Sequence, residues 1–369
     1  MQINIVKKKN LLGDREMNKI KLAIVGVGSI SEVHLKAYSK IDEIEVYAFC
    51  DINEKRLSYM SEKYGVERTF TDIDEMLKAL PELDAVDVCT WNVAHSICSI
   101  KALNAKKHVF CEKPMAMKAD EAKAMQAAAA AAGRLLMIGF VRRFGTDCEI
   151  VKDFIASERL GDIYYAKASY LRRNGNPGGW FGNKSLSGGG PLIDLGVHVI
   201  DLARYLMGSP RAVSVYGATF HKLGARKNIK TPKGYVSAGA SENDICDCED
   251  LATALIRFEN GAVMAIDASF SLNIAKPDNN VQLYGTKGGV KLASSVELYT
   301  ELDDYLADVS LQGETGLDID AAFFAELSNF KDAILGNSEC RNPAEDGVIM
   351  MQILDAIYES ARTGGEVKI

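Results

Sequence analysis

The chain has 369 residues, which at about 100–200 residues per domain implies two or three folded units. Hydrophobic residues make up 47% and charged residues 25%, a usage that excludes a disordered or collagen-like chain. The formal charge of −7 argues against nucleic acid or an anionic membrane surface as the main partner, since both require a basic face.

Residues 1–18 read as an N-terminal tail with a second methionine, Met17, just before the first strand. Residues 20–25 (IKLAIV) form a short apolar run ending at glycine, the signature of a buried parallel strand. A helix follows with Ile30, Val33, His34, Ala37 and Tyr38 at spacings of three and four, and the strand EVYAFC then ends at Asp51. The alternation continues through a helix at 54–64, a short strand near Thr69, a helix at 72–80 and the strand AVDVCT. A helix at 94–104, the strand HVFCE, an alanine-rich helix from Asp120 to Gly133 and the strand LLMIGF complete it. This rhythm predicts βαβ units on a doubly wound parallel sheet covering 19–140.

After Phe140 the pattern changes. A helix near 147–157 leads into the strand-like segments DIYYAKASYL, RAVSVYGATF, LATALIRF, AVMAIDASFSL and NVQLYG, with FENGA as a hairpin turn. Two helices at 319–335 and 344–361 close the chain, so 141–369 is expected to be an α+β domain with a mostly antiparallel sheet. The polar stretch from His221 to Asp247 is long for a connection and reads as a functional or mobile loop.

No run approaches the roughly 18 apolar residues of a membrane helix, and the N-terminus lacks a signal-peptide core, so a cytoplasmic protein without membrane attachment is expected. The eight scattered cysteines read as reduced thiols. Cys246 and Cys248 form a single CxC without a second ligand pair, and no metal site is expected.

Gly26, Gly28 and Ser31 spell GxGxxS between a strand and a helix, the context a dinucleotide fingerprint requires. The first glycine permits the tight turn, the second admits a pyrophosphate to the backbone amides, and the helix start, with Ser29 and Ile30, faces the anion. Asp51, ending the second strand, can accept both ribose hydroxyls of NAD and repels a 2′-phosphate, so NAD is expected over NADP even with Arg56 nearby. Thr90, Asn92 and His95 follow the fourth strand, where ligands of open α/β sheets gather, and are expected at the cofactor.

CEKP, residues 111–114, follows another strand and is expected to point Glu112 and Lys113 into the same cleft. A lysine cation there would stabilise the alkoxide character that develops as hydride leaves carbon. In SGGGPLIDLGVHVIDLARYL, Asp194, His198 and Asp201 stand at i, i+4 and i+7, one face of a helix. His198 can accept a hydroxyl proton near neutral pH, with a neighbouring carboxylate setting its tautomer. The triple glycine ahead of it is read as letting backbone and substrate approach.

The order and spacing of GxGxxS, the acidic strand end, TxNxxH, EKP and GGGxxxDxGxHxxD closely resemble the glucose-fructose oxidoreductase, inositol dehydrogenase and MocA (Gfo/Idh/MocA) family. The resemblance runs from about residue 20 to the end and includes YGTKGG at 284–289 and the terminal AIYESARTGGEV. It implies a Rossmann NAD domain followed by a substrate domain whose large open sheet assembles homodimers or homotetramers. It further implies that Lys113, Asp194, His198 and Asp201 line the site where a sugar, glycoside or cyclitol hydroxyl is oxidised. Trp91 stands where the family often has proline, and Lys106 where glycine is common. The segment 172–184 resembles the family's substrate-side loop, with Trp180 placed to stack on nicotinamide or a sugar face. Arg142 and Arg143 are candidates to reach the ligand. Two alternatives stay open: glycoside 3-oxidation with tightly bound, internally recycled NAD, and a non-catalytic dinucleotide-sensing regulator.

Overall fold

The structure, a computed structural model, describes residues 19–226, 228–230 and 235–369. The expected N-terminal tail lies outside the described residues. The first sheet is built from β1 (Ile20–Val25), β2 (Ile44–Cys50), β3 (Thr69–Phe70), β4 (Ala85–Val88), β5 (His108–Glu112) and β6 (Leu136–Gly139), in the order β3-β2-β1-β4-β5-β6. All its pairings are parallel. The connecting helices are α1 (Ser29–Tyr38), α2 (Glu54–Tyr64), α3 (Ile73–Ala79), α4 (Asn92–Asn104) and α5 (Ala119–Ala132). Local chemistry sets their ends: Asn53 and Asp72 cap α2 and α3 through their side chains, while Gly65 and Gly133 end α2 and α5 in the left-handed conformation.

A 3-10 turn (Val141–Phe144) leads to α6 (Thr146–Ala156), β7 (Ile163–Leu171), α7 (Lys184–Ser187), a π-helical segment (Leu192–Gly196) and α8 (Val197–Leu206). The second sheet adds β8 (Ala212–Phe220), β9 (Leu251–Phe258), β10 (Val263–Ser269), β11 (Asp278–Gly285), β12 (Gly288–Leu292), β13 (Val296–Leu302) and β14 (Tyr305–Ser310). Helices α9 (Ile319–Ile334) and α10 (Ala344–Thr363) precede the last strand, β15 (Val367–Lys368). The nine strands run β14-β13-β12-β11-β7-β10-β9-β8-β15, antiparallel except for β7 beside β10. FENG makes the β9–β10 hairpin, with Gly261 at φ +85°. Strands β12 to β15 escape sequence reading because they are short and half exposed, with weak alternation.

One placement differs from the sequence expectation. Helix α9 was assigned with α10 to the second unit, yet its Ala322, Phe323, Leu327 and Phe330 pack with α1 and with Leu22, Ile24, Phe49 and Phe110 of the first sheet. An amphipathic helix buries its stripe on whichever apolar face lies uncovered, and periodicity does not name that face. Helix α10 in turn bridges α5 and β8, so a continuous core joins the two sheets.

Candidate active site

Gly26, Asp51, Thr90 and Lys113 all follow the carboxyl ends of first-sheet strands, the edge where open α/β sheets bind ligands. Gly26 sits at φ +89°, and a Cβ there would lie 2.7 Å from the backbone of Cys89 and Thr90. The β1–α1 turn therefore packs directly on the β4–α4 turn. Gly28 caps α1 without a side-chain hydrogen bond, and nothing lies within 4 Å of where its Cβ would be. The first amides of α1 thus open onto an uncrowded space, which fits a pyrophosphate. Ser29 is exposed and Ile30 half-buried at this opening, while Ser31 is buried with its hydroxyl on the Gly28 carbonyl at 2.8 Å.

Asp51 Oδ2 accepts the Val27 amide at 2.8 Å and Oδ1 the Asn53 amide at 2.8 Å, which fixes the carboxylate beside the turn. The Arg56 guanidinium is engaged by the protein: its Nε donates to Val27 O at 2.7 Å and its Nη2 pairs with Glu32 at 2.5 Å. The residues present fit NAD.

Lys113 Nζ lies 3.1 Å from Asp194 Oδ1 and 3.2 Å from the Asp194 main-chain oxygen, so the two domains meet at this pair. His198, four residues on, is partly exposed. Burial, followed by the charges of Lys113, Arg142 and Arg172, holds its pKa well below that of ordinary histidine. A neutral imidazole therefore stands among three cations at pH 7, ready to accept a proton. Arg142 donates from Nη2 to Asp147 at 3.1 Å, and its buried Nε has no partner among the described residues. Arg172 donates from Nη1 to Gly175 O at 3.1 Å and lies over the Tyr170 ring. Its electrostatic hold on His198 is not readable from sequence, because it depends on where β7 ends.

Five residues expected at the ligand hold protein partners in the structure. Asp201 is buried and takes the Arg143 guanidinium at 2.9 and 2.6 Å, and Arg143 also bonds Asp346 at 2.7 Å. Both belong to an interior ion network, not to the cleft. The π-helical turn at Leu192–Gly196 changes the angular step, which removes Asp201 from the stripe a regular helix would give it. His95 is buried with Nδ1 2.7 Å from Pro114 O and Nε2 3.1 Å from Thr90 O. Burial lowers its pKa, and it ties the lysine turn to the Thr90 loop. Asn92 Nδ2 donates to Ser187 O at 2.8 Å and clamps α4 to α7. Glu112 turns inward to His34 on α1, at 3.1 Å.

The triple glycine serves packing. A Cβ on Gly189 would fall 2.0 Å from the Tyr358 hydroxyl, and one on Gly190 2.3 Å from Glu249 O. Glu249 Oε1 accepts Tyr358 Oη at 2.9 Å, Gly190 N at 3.0 Å and Leu192 N at 3.3 Å, anchoring the segment that carries Asp194. Thr90 Oγ1 bonds Trp91 O at 3.1 Å. Trp180 stacks on Phe181 at 4.0 Å and lies 6.4 Å from Trp91 at 21° between planes, an aromatic contact across the cleft mouth.

A family model described as "Oxidoreductase family, NAD-binding Rossmann fold" matches residues 20–140, and a second, "GFO/IDH/MocA C-terminal domain", matches 149–291. The chain is 34% identical over 353 residues to a D-glucoside 3-dehydrogenase of Escherichia coli, covering 95% of this chain and 97% of that protein. It is 28% identical over 289 residues to a myo-inositol 2-dehydrogenase of Thermotoga maritima, covering 78% and 80%. Among solved structures, the aldose-aldose oxidoreductase from Caulobacter crescentus complexed with glycerol superposes with a TM-score of 0.78 at 26% identity, covering 95% of this chain and 100% of that one. A levoglucosan dehydrogenase in complex with NADH shares the fold, with a TM-score of 0.81 at 23% identity over 95% and 99%.

Proposed function

The chain belongs to the Gfo/Idh/MocA oxidoreductase family, and from that premise we propose that it oxidises a secondary hydroxyl of a glucoside-type sugar at the 3-position, using NAD in preference to NADP. That it is an NAD-dependent oxidoreductase of the sugar, glycoside and cyclitol dehydrogenase type follows from the family and its relatives. The assignment of the reacting groups is supported by one observation: Lys113 and Asp194 pair at 3.1 Å beside a neutral His198, on the edge that also holds the Gly26 turn.

When bound, NAD supplies the hydride acceptor, C4 of its nicotinamide. Gly26, Gly28 and the first turn of α1 would hold its pyrophosphate and Asp51 its ribose, with Arg56 tied to Glu32. His198 takes the hydroxyl proton of the substrate. Lys113, oriented by Asp194, sets its positive charge against the oxygen as it becomes alkoxide-like.

The 3-position rests on the Escherichia coli relative, and the inositol dehydrogenase supports a cyclitol as the broader class. The sensing role left open by sequence is set aside, because those relatives are dehydrogenases. A second reading, internally recycled NAD, draws on the Trp91–Trp180 contact and the Asn92–Ser187 clamp, which hold the domains together over the dinucleotide turn. We also assign the uncovered face of the second sheet to assembly of two or four copies. No described helix is long and apolar enough to cross a membrane, and eight free thiols suit a reducing compartment, which we take as the cytoplasm.

The test is turnover of the purified protein with NAD or NADP against glucosides, free aldoses and myo-inositol, followed by absorbance of reduced nicotinamide. Accumulating NADH with glucosides, abolished in Lys113→Ala, supports the main reading. Full turnover in Lys113→Ala rejects it. Copurified NAD that turns over substrate without accumulating NADH selects the recycling reading.

A further inference from the structure

Glu112 leaves β5 and enters the layer between the first sheet and α9, where it is buried. Its Oε1 lies 3.1 Å from His34 Nε2, and its Oε2 accepts the main-chain N–H of Lys113 at 3.1 Å. On the other side of the ring, His34 Nδ1 lies 2.8 Å from Asp87 Oδ2. Both ring nitrogens face carboxylate oxygens, which only a doubly protonated imidazolium satisfies as donor. Burial opposes that charge, and the pairing with Asp87 raises the His34 pKa well above its ordinary value against it.

The surrounding groups complete the arrangement. The Tyr38 hydroxyl donates to Asp87 Oδ2 at 3.0 Å and the Cys89 thiol to Oδ1 at 3.3 Å. From α9, Glu326 faces Glu112; burial, then the charge of Glu112, pushes its pKa well up, so it keeps its proton. On β6, Gly139 leaves the space: a Cβ there would lie 3.0 Å from Glu112 Oε1. The ligand atoms of His34, Asp87 and Cys89 lie within 4.8 Å of one another, but burial pushes the thiol pKa far up, and a cation would find no thiolate. The cluster is an ion pair beside which Glu326 Oε1 accepts from Asn342 at 2.9 Å, while its Oε2 has no partner among the described residues.

We propose that His34 is a positioning residue for Lys113: paired with Glu112, it fixes the turn that delivers the lysine ammonium to Asp194 and the substrate oxygen. This rests on the catalytic reading of Lys113. His34 touches no substrate; it acts through Glu112, whose second oxygen holds the Lys113 amide. Because His34 rides on α1, the helix that opens at the dinucleotide turn is tied to the catalytic lysine by two side chains.

His34→Gln and Glu112→Gln in the full-length chain test this. A Gln at 112 can present its oxygen to the Lys113 N–H or to His34, but not to both. Amide exchange of the apoprotein, read by mass spectrometry on a peptide spanning 110–117, is expected to accelerate about tenfold. The kcat for the sugar is expected to fall about tenfold while its KM moves less than about threefold. Unchanged exchange, or a kcat within about twofold of the parent in a folded variant, overturns the proposal. Should His34→Gln fail to fold, Glu112→Gln, nearly isosteric, is read by the same criteria. Lys113→Ala run alongside separates the two failures: if it keeps turnover, the catalytic reading falls; if it loses turnover while His34→Gln does not, only the positioning role falls.

Discussion

His198 owes its neutral state to its surroundings: burial first, then Lys113, Arg142 and Arg172, depress its pKa. The neutral form is the active one, so activity should persist below pH 6.5 and fall only as the pH drops through the lowered pKa. A pH profile of kcat/KM whose acid limb had its midpoint above pH 6.5 would contradict this assignment. In Arg172→Gln one of the depressing cations is gone, and the acid limb should move upward, toward 6.5. His198→Ala should lower kcat by roughly 10²–10⁴, the usual contribution of a positioned base, as stopped or steady-state assays would report. The types and spacing of Lys113, Asp194 and His198 were legible in the sequence because each follows a recognisable strand or glycine signal. The protein partners of Glu112, His95 and Asp201 were not legible in the sequence for one shared reason: a polar residue beside a motif can face a ligand or the interior, and nothing local decides which.

At the scale of elements, the β1–α1 turn separates two roles that one motif combines. Gly26→Ala adds a Cβ at positive φ against the backbone of Cys89 and Thr90, and should destabilise the fold by about 1–3 kcal/mol from backbone strain alone, seen as an earlier thermal melt. Gly28→Ala meets nothing within 4 Å and has φ −77°, so it should melt like the parent yet bind NAD more weakly, measurable by fluorescence titration. Equal melting losses in the two variants would refute the distinction. Periodicity located α1 to α6, α9 and α10 to within a few residues, because their caps and apolar stripes are local. It could not locate the π-helical turn ahead of α8, whose insertion is imposed by Glu249 and Tyr358 from far along the chain.

For the whole molecule, the interior network of Arg143, Asp201, Asp346 and Arg204 joins the first domain's exit turn to α8 and α10. Arg143→Met would leave the buried Asp201 carboxylate unpaired and the half-buried Asp346 with Arg204 alone, and should cost about 3–5 kcal/mol in denaturant unfolding. A loss under about 1 kcal/mol, the range of exposed pairs, would show the network to be dispensable. On the second sheet, Tyr216 and Leu255 are cross-strand neighbours at 55% and 49% exposure, apolar where a solvated sheet face would carry charge. Leu255→Glu should shift the assembled protein toward monomer in light scattering, and an unchanged mass would place the interface elsewhere.

The amino-acid order by itself determined the two-sheet architecture and the dinucleotide turn, since apolar runs, caps and glycine spacing act within a few residues. Only the tertiary structure decided which polar groups find protein partners, where α9 docks, and that His34 pairs with Glu112 next to Lys113. Those outcomes depend on contacts between residues far apart in the chain, between which no local signal passes.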